Sequence, residues 1–139
     1  MLLAPIIAQV QTVTGLKKVA GAAAFAAAQN TTVTPPCAYV IPLGDNAAPN
    51  RMLSGAIEQR VTERFAVILA ATNARDTQGY AANDGLETLR AAVIAALLGW
   101  QPSTDYDPIE YGKGGMLALA NNIFWWQLEF VTAYYERKV

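Results

Sequence analysis

Met116-Leu117-Ala118-Leu119-Ala120-Asn121-Asn122-Ile123-Phe124-Trp125-Trp126-Gln127-Leu128-Glu129-Phe130-Val131-Thr132-Ala133-Tyr134-Tyr135 reads as a β-hairpin. Two asparagines interrupt two apolar runs, and asparagine tolerates the positive φ that a two-residue hairpin turn demands. That turn sets Leu119 opposite Phe124 and Leu117 opposite Trp126. Alternate residues of a strand share a face, so Phe124, Trp126, Leu128 and Phe130 line one side, and Leu117 and Leu119 fall on it too. The turn and the apolar pattern impose the same register. The opposite face carries Trp125, Gln127, Glu129 and Val131.

Working back from the hairpin, Gly112-Lys113-Gly114-Gly115 reads as a flexible turn into its first strand, at the end of a loop over 103–115. Residues 80–98 are expected to form the main helix. Leu86, Leu89, Val93 and Leu97 make its apolar stripe while Asp84, Glu87 and Arg90 face away. Gly99 and Pro102 stop it. Thr72 to Gln78 is polar and turns the chain. In Arg60 to Leu69, Val61, Phe65, Val67 and Leu69 share one parity and Arg60, Thr62 and Arg64 the other, so this is a half-buried strand with a charged outer face. Glu63 alone breaks the inner parity.

The first half is less regular. Residues 44–55 hold Gly44, Asp45, Asn46, Asn50 and Gly55 and read as a long mobile loop. Ala38 to Ile41 is a short strand that Pro42 marks as an edge or an end. Asn30 to Pro36 is a loop, Ala22 to Gln29 a short Ala-rich helix, and Leu16 to Ala20 a short strand. Residues 2–14 form an N-terminal helix on the spacing of Leu3, Ile6, Ile7, Val10 and Val13, ended by Gly15. The expected fold is α+β: a mainly antiparallel sheet in one domain over 1–139. One long helix at about 80–98 packs on one face, beside the short N-terminal helix.

Composition narrows the chemistry. Of 139 residues, 53% are hydrophobic and 15% charged, which excludes disorder. The net charge of −1 leaves no electrostatic footprint for nucleic acid. There is no histidine and one cysteine, Cys37. That removes the commonest general base, an internal disulfide and any Cys/His metal cluster. No cofactor and no catalysis are expected. Lys17-Lys18 before the run Val19 to Ala28 imitates a signal sequence but lies too far inside the chain. No apolar run reaches the ~20 residues of a membrane span. The chain is expected to be made in the cytoplasm and to need no membrane.

Candidate chemistry is sparse. Asp105, Asp107 and Glu110 precede the glycines, but Pro108 interrupts them and the spacing is not that of a calcium loop; a solvated acidic loop is the plainer reading. Gly112 to Gly115 lacks the phosphate-loop pattern. Arg75 and Asp76 sit on a loop suited to hold a nucleotide or a partner, or else form a surface ion pair worth little. An outward Trp125 beside Gln127 and Glu129, with Tyr135 further along, is unusual for a monomer; another element covers it, or a partner subunit does. Arg60, Glu63 and Arg64 suit intersubunit ion pairs or a solvated face.

In chain order these pieces resemble one family. They are the N-terminal helix, Pro36-Cys37-Ala38-Tyr39-Val40-Ile41-Pro42-Leu43, Arg60 to Leu69, Gly79, and the Leu86/Leu89/Arg90 helix. Then come its exit Leu98-Gly99-Trp100-Gln101-Pro102, Ile109-Glu110-Tyr111 with Gly114-Gly115, and the Trp-rich last strand. From about Leu3 to Tyr135 the chain resembles the phage tail terminators of the lambda-like minor tail protein kind. The resemblance implies a small non-catalytic α+β subunit of the virion. It would form a ring, typically a hexamer, that caps the head-proximal end of the tail tube, stops the tube protein polymerising and docks the head-completion or connector protein. No site residues transfer with it. Exposure instead suggests Arg60, Thr62, Arg64, Trp125, Gln127 and Glu129 as subunit contacts. For tube or connector it suggests Arg51, Arg75, Asp76, Asp105, Asp107 and Lys113. The competing readings are another neck or head–tail joining protein, and a small-ligand domain using the acidic and glycine loop at 105–115 with Arg75.

Overall fold

The computed structural model describes residues 1–28, 33–72, 80–120 and 122–139. Helix α1 is Leu3–Val10, strand β1 Lys18–Ala20, helix α2 Ala22–Ala28 and strand β2 Cys37–Ala47. Strand β3 is Ile57–Thr72, helix α3 Tyr80–Leu97, strand β4 Glu110–Ala120 and strand β5 Ile123–Lys138. The strands form one mixed sheet in the order β1-β2-β3-β5-β4. Among the described residues only the β1–β2 pair is parallel. The α+β class is as expected. The expected single long helix is not what organises the fold: three short helices of 8, 7 and 18 residues share that work, and they cover both faces.

The spine is the antiparallel pairing of β3 with β5 over all 16 residues of each. Phe65, Val67, Leu69 and Ala71 of β3 join Leu128 and Phe130 of β5 on one face, under Ile6 and Val10 of α1 and Leu86, Val93 and Leu97 of α3. Phe65 and Phe130 stack with ring centroids 5.5 Å apart. Such a pair adds about 0.5–1.5 kcal/mol beyond its buried area. Helix α3 ends where Gly99 takes φ +78, a left-handed cap that costs glycine nothing. Gly99 N then donates to Ile109 O, and Ile109 N to Trp100 O.

The strand over 60–69 is expected to be half-buried, yet from Phe65 to Ala71 every residue is buried. The cause is α2, which lies on the back face. There Cys37, Tyr39, Ile68 and Ala70 form a second core with Ala24 and Phe25. Strand β2 runs through Pro42 instead of ending there. A bulge between Pro42 and Gly44 absorbs the proline, and Gly44 to Ala47 go on pairing with Arg64 to Val61. A third of the expected mobile loop at 44–55, residues 44–47, is therefore strand.

The hairpin turn holds at Asn122, whose φ is 60; Asn121 lies outside the described residues. Leu119 faces Phe124 as expected, but Leu117 does not face Trp126. A bulge between Met116 and Ala118 puts Met116 there and leaves Leu117 unpaired. Neither leucine reaches the core: they are 49% and 53% exposed. Gly112 to Gly115, expected as a turn, belong to β4, which starts at Glu110 and bulges once more between Tyr111 and Lys113.

Candidate assembly surfaces

The back face of the sheet divides in two. Helix α2 covers the half nearest Cys37 and Tyr39. The other half carries Arg60, Thr62 and Arg64 of β3. Cross-strand register sets Arg60 beside Tyr135, Thr62 beside Ala133 and Arg64 beside Val131, and sets Ala66 beside Glu129. Lys113 of β4 stands opposite Glu129 on the far side. The two strips suggested by sequence, one on each central strand, are thus one continuous surface. Gln127 Nε2 donates to Glu129 Oε1 at 3.0 Å across it.

Arg60 leaves this surface to meet the 101–109 loop. Its guanidinium lies 2.5 Å from Asp107 Oδ2 and 3.4 Å from Thr62 Oγ1. Asp107 is itself fixed: its N–H donates to Ala133 O and its carbonyl accepts from Thr132 Oγ1 at 2.7 Å. Since β5 lies between Arg60 and Asp107, the ion pair bridges that strand. Asp105, by contrast, is exposed, its N–H donating to Ser103 Oγ. The carboxylates of Asp105, Asp107 and Glu110 do not converge, and among the described residues no group of three or more could hold a metal ion. Arg75 and Asp76 lie outside the described residues.

Of the two coverings open to Trp125, an element of the chain or a partner subunit, the first is present: Trp125 is half-buried and packs against Phe25 of α2 and Tyr39 of β2, with centroids 6.0 and 6.3 Å away. Another element covers it. Beside it the buried Cys37 thiol lies 3.7 Å from the Tyr39 hydroxyl. Burial pushes the Cys37 thiol up and holds the Tyr39 hydroxyl at about 12, so both stay protonated and neutral in this apolar layer.

The end of the sheet carries a built arm. Beyond Pro42 the β2–β3 pair runs on as a two-stranded projection, tipped by a turn over 48–56. Asn50 ties that turn. Its Oδ1 accepts from Met52 N and Glu58 N, and its Nδ2 donates to Met52 O and Ala56 O. Arg51 pairs with Glu58, which Arg137 also approaches at 3.6 Å. Both guanidinium groups lie over the Tyr135 ring, at 5.1 and 4.8 Å from its centre. Where the arm leaves the body, Glu63 faces inward and is only 3% exposed. Its Oε1 is 3.8 Å from the Met1 ammonium, and its Oε2 has no hydrogen-bond partner among the described residues. Burial raises its pKa more than the ammonium lowers it.

The family model described as phage tail terminator protein matches residues 1–138. The chain belongs to the phage tail terminator family. It is thus a structural protein of the phage tail. No curated protein sequence matches it. Among solved structures it is similar to a chain of the virion of a native gene transfer agent particle, with TM-score 0.55 and 16% identity. The match covers 97% of this chain and 95% of that one. At that identity the likeness shows the shared fold.

Sequence reasoning missed part of this tail terminator's surface. Glu58, Arg137 and the exposed Leu53 were not singled out, because Glu58 and Arg137 meet only through the β3–β5 register. Arg51 was singled out, for its exposure alone. A readable signal for the arm did exist. Polar Glu58, Arg60, Thr62 and Arg64 alternate in step through that part of β3, which marks a strand with one solvent face.

Proposed function

We propose that this tail terminator forms a closed ring, most simply a hexamer, on the head-proximal end of the tail tube. There it halts polymerisation of the tube protein and offers the head-completion or connector protein its docking surface. The observation that carries the reading is the family match across residues 1–138. The geometry supports it. A closed ring needs two different surfaces per subunit, each meeting its complement on the next copy. This subunit has an open polar back face with Arg64, Gln127 and Glu129, and a separate projecting arm. Growth stops because the ring meets the last tube layer on one side and presents no tube-like acceptor on the other. The Arg60–Asp107 pair fixes the 101–109 loop at one edge of the back face, and we assign that loop and the arm to contacts outside the plane of the subunit's own sheet.

The test combines mass and images. Light scattering after size exclusion, across a concentration series, should show a species several times the subunit mass, and negative stain should show a central hole. Added to polymerising tube protein, it should hold tube length fixed with density at one tip. Tubes that elongate unchanged, without bound protein, would overturn the reading.

A further inference from the structure

Charge is unevenly placed along this chain. Residues 1–44 hold Lys17 and Lys18 and no aspartate or glutamate. Both lysines are exposed, and they stand at β1, an edge strand of the sheet. Lys18 shares a row with Cys37 of the back face. The elements packed against β1 are α1 and β2; α1 is uncharged, and so is β2 as far as Gly44. Residues 65–72 of β3 are uncharged too. Among the described residues, then, two ammonium groups stand at this edge with no carboxylate beside them.

The opposite excess lies at the other end of the sheet and on its other face. Asp45 of β2 stands directly opposite Glu63, which shares its row with Thr132. Two residues along, the Tyr134 ring meets Tyr106 of the 101–109 loop, with centroids 5.2 Å apart, and Glu136 follows on the same face. Asp105 precedes Tyr106 and is exposed. One phenol registers how closely these groups gather: burial first, then Glu63, Glu136 and Asp105, raise the Tyr106 pKa. Four carboxylates thus surround two tyrosines. Against them stand the Met1 ammonium, which Glu63 holds at 3.8 Å, and Lys138 near the end of β5. Like charges directly opposite each other on a strand pair are destabilising, so the Asp45–Glu63 pair is relieved by an arriving cation. An ammonium entering this patch would meet carboxylates and two aromatic rings, both of which favour it.

The two patches cannot meet within one subunit. Lys18 lies level with Ala70 of β3 and Tyr134 level with Val61, nine residues or about 30 Å away along the strand. Complementary surfaces at different places on one chain make a head-to-tail contact, the type a ring requires. We propose that Lys17 and Lys18 of one subunit dock on the Asp45, Asp105 and Glu136 patch around Tyr106 and Tyr134 of the next copy. This rests on the ring reading above. Exposed ion pairs add little affinity each; their part is to select the neighbour and its register.

The test is a charge swap read by light scattering, with melting temperature as the check on folding. Lys17→Glu with Lys18→Glu should lose the ring, and so should Asp105→Lys with Glu136→Lys, each melting as wild type does. All four changes in one chain should restore it. Should either reversed pair melt early, Lys17→Gln with Lys18→Gln and Asp105→Asn with Glu136→Gln take its place, and each must weaken the ring. A carbodiimide joins an ammonium to a carboxylate without a spacer. In rings mixed from light and heavy-isotope subunits it should link Lys17 or Lys18 of one label to Asp45, Asp105 or Glu136 of the other. Rings of wild-type mass and stability from either reversed or neutralised pair would overturn the proposal. So would wild-type rings that give no such link, or a fourfold variant that folds but forms no ring. Reversed variants that form rings but no longer cap tubes would also overturn it, placing these charges against the tube instead. If wild-type protein forms no ring, free or on tube tips, the reading of the function fails first and this contact with it.

Discussion

At the scale of single residues, two adjacent glycines separate packing from opening. A Cβ on Gly114 would sit 2.5 Å from the Tyr111 hydroxyl and 3.0 Å from Trp126 Nε1. Tyr111 cannot retreat freely, with Phe130 against its ring at 5.5 Å and the Arg90 guanidinium over it at 5.6 Å. Gly114→Ala should therefore cost about 1–3 kcal/mol in urea denaturation, while Gly115→Ala stays within about 0.5 kcal/mol. Glu63 gives a pH test. Its folded pKa is raised, so the folded state holds a proton the unfolded state releases. Stability from this group is full below its ordinary value of 4.5 and falls as pH rises through the raised one. Glu63→Gln should flatten that decline and melt higher than wild type at pH 7, the gain vanishing in acid. Glu63 was legible as the residue breaking the inner parity of its strand. The partnership of Arg60 with Asp107, 47 positions apart, was not, because no local pattern carries it.

At the scale of elements, α2 shows what periodicity cannot read. Six of its seven residues are alanine, so it has no contrast between faces and no apolar stripe to aim it. Its position was hidden although its extent was nearly legible. Phe25 is its anchor, touching Tyr39 at 5.5 Å and Trp125 at 6.0 Å. Phe25→Ala should cost about 2–3 kcal/mol, less than a fully buried ring, and shift tryptophan emission to the red as Trp125 meets water. The hairpin was legible for the opposite reason: its turn and its alternation agree, and the bulge at Leu117 is a one-residue defect that neither could announce. The turn itself can be tested. Asn122 holds φ 60, so Asn122→Ala should lose about 1 kcal/mol in the same denaturation assay, whereas Asn122→Gly should not.

At the scale of the whole molecule, the fold class followed from element order, but the covered second face and the arm needed three-dimensional register. That register also says what charge changes should do. The Arg60–Asp107 pair is about half exposed on both sides, so Arg60→Ala should move the melting temperature little. Glu129→Arg, on the open face, should leave melting unchanged and remove the ring species from light scattering. The paired length of β3 and β5 has a mechanical consequence. A pull on the arm along the strand axis loads all 16 residue pairs of that ladder in parallel, so nothing gives until many hydrogen bonds break together. A pull at right angles, against the free edge of β4, opens its ladder one bond after another, like a zip. The same subunit is stiff to tension along its spine and compliant to peeling at its rim.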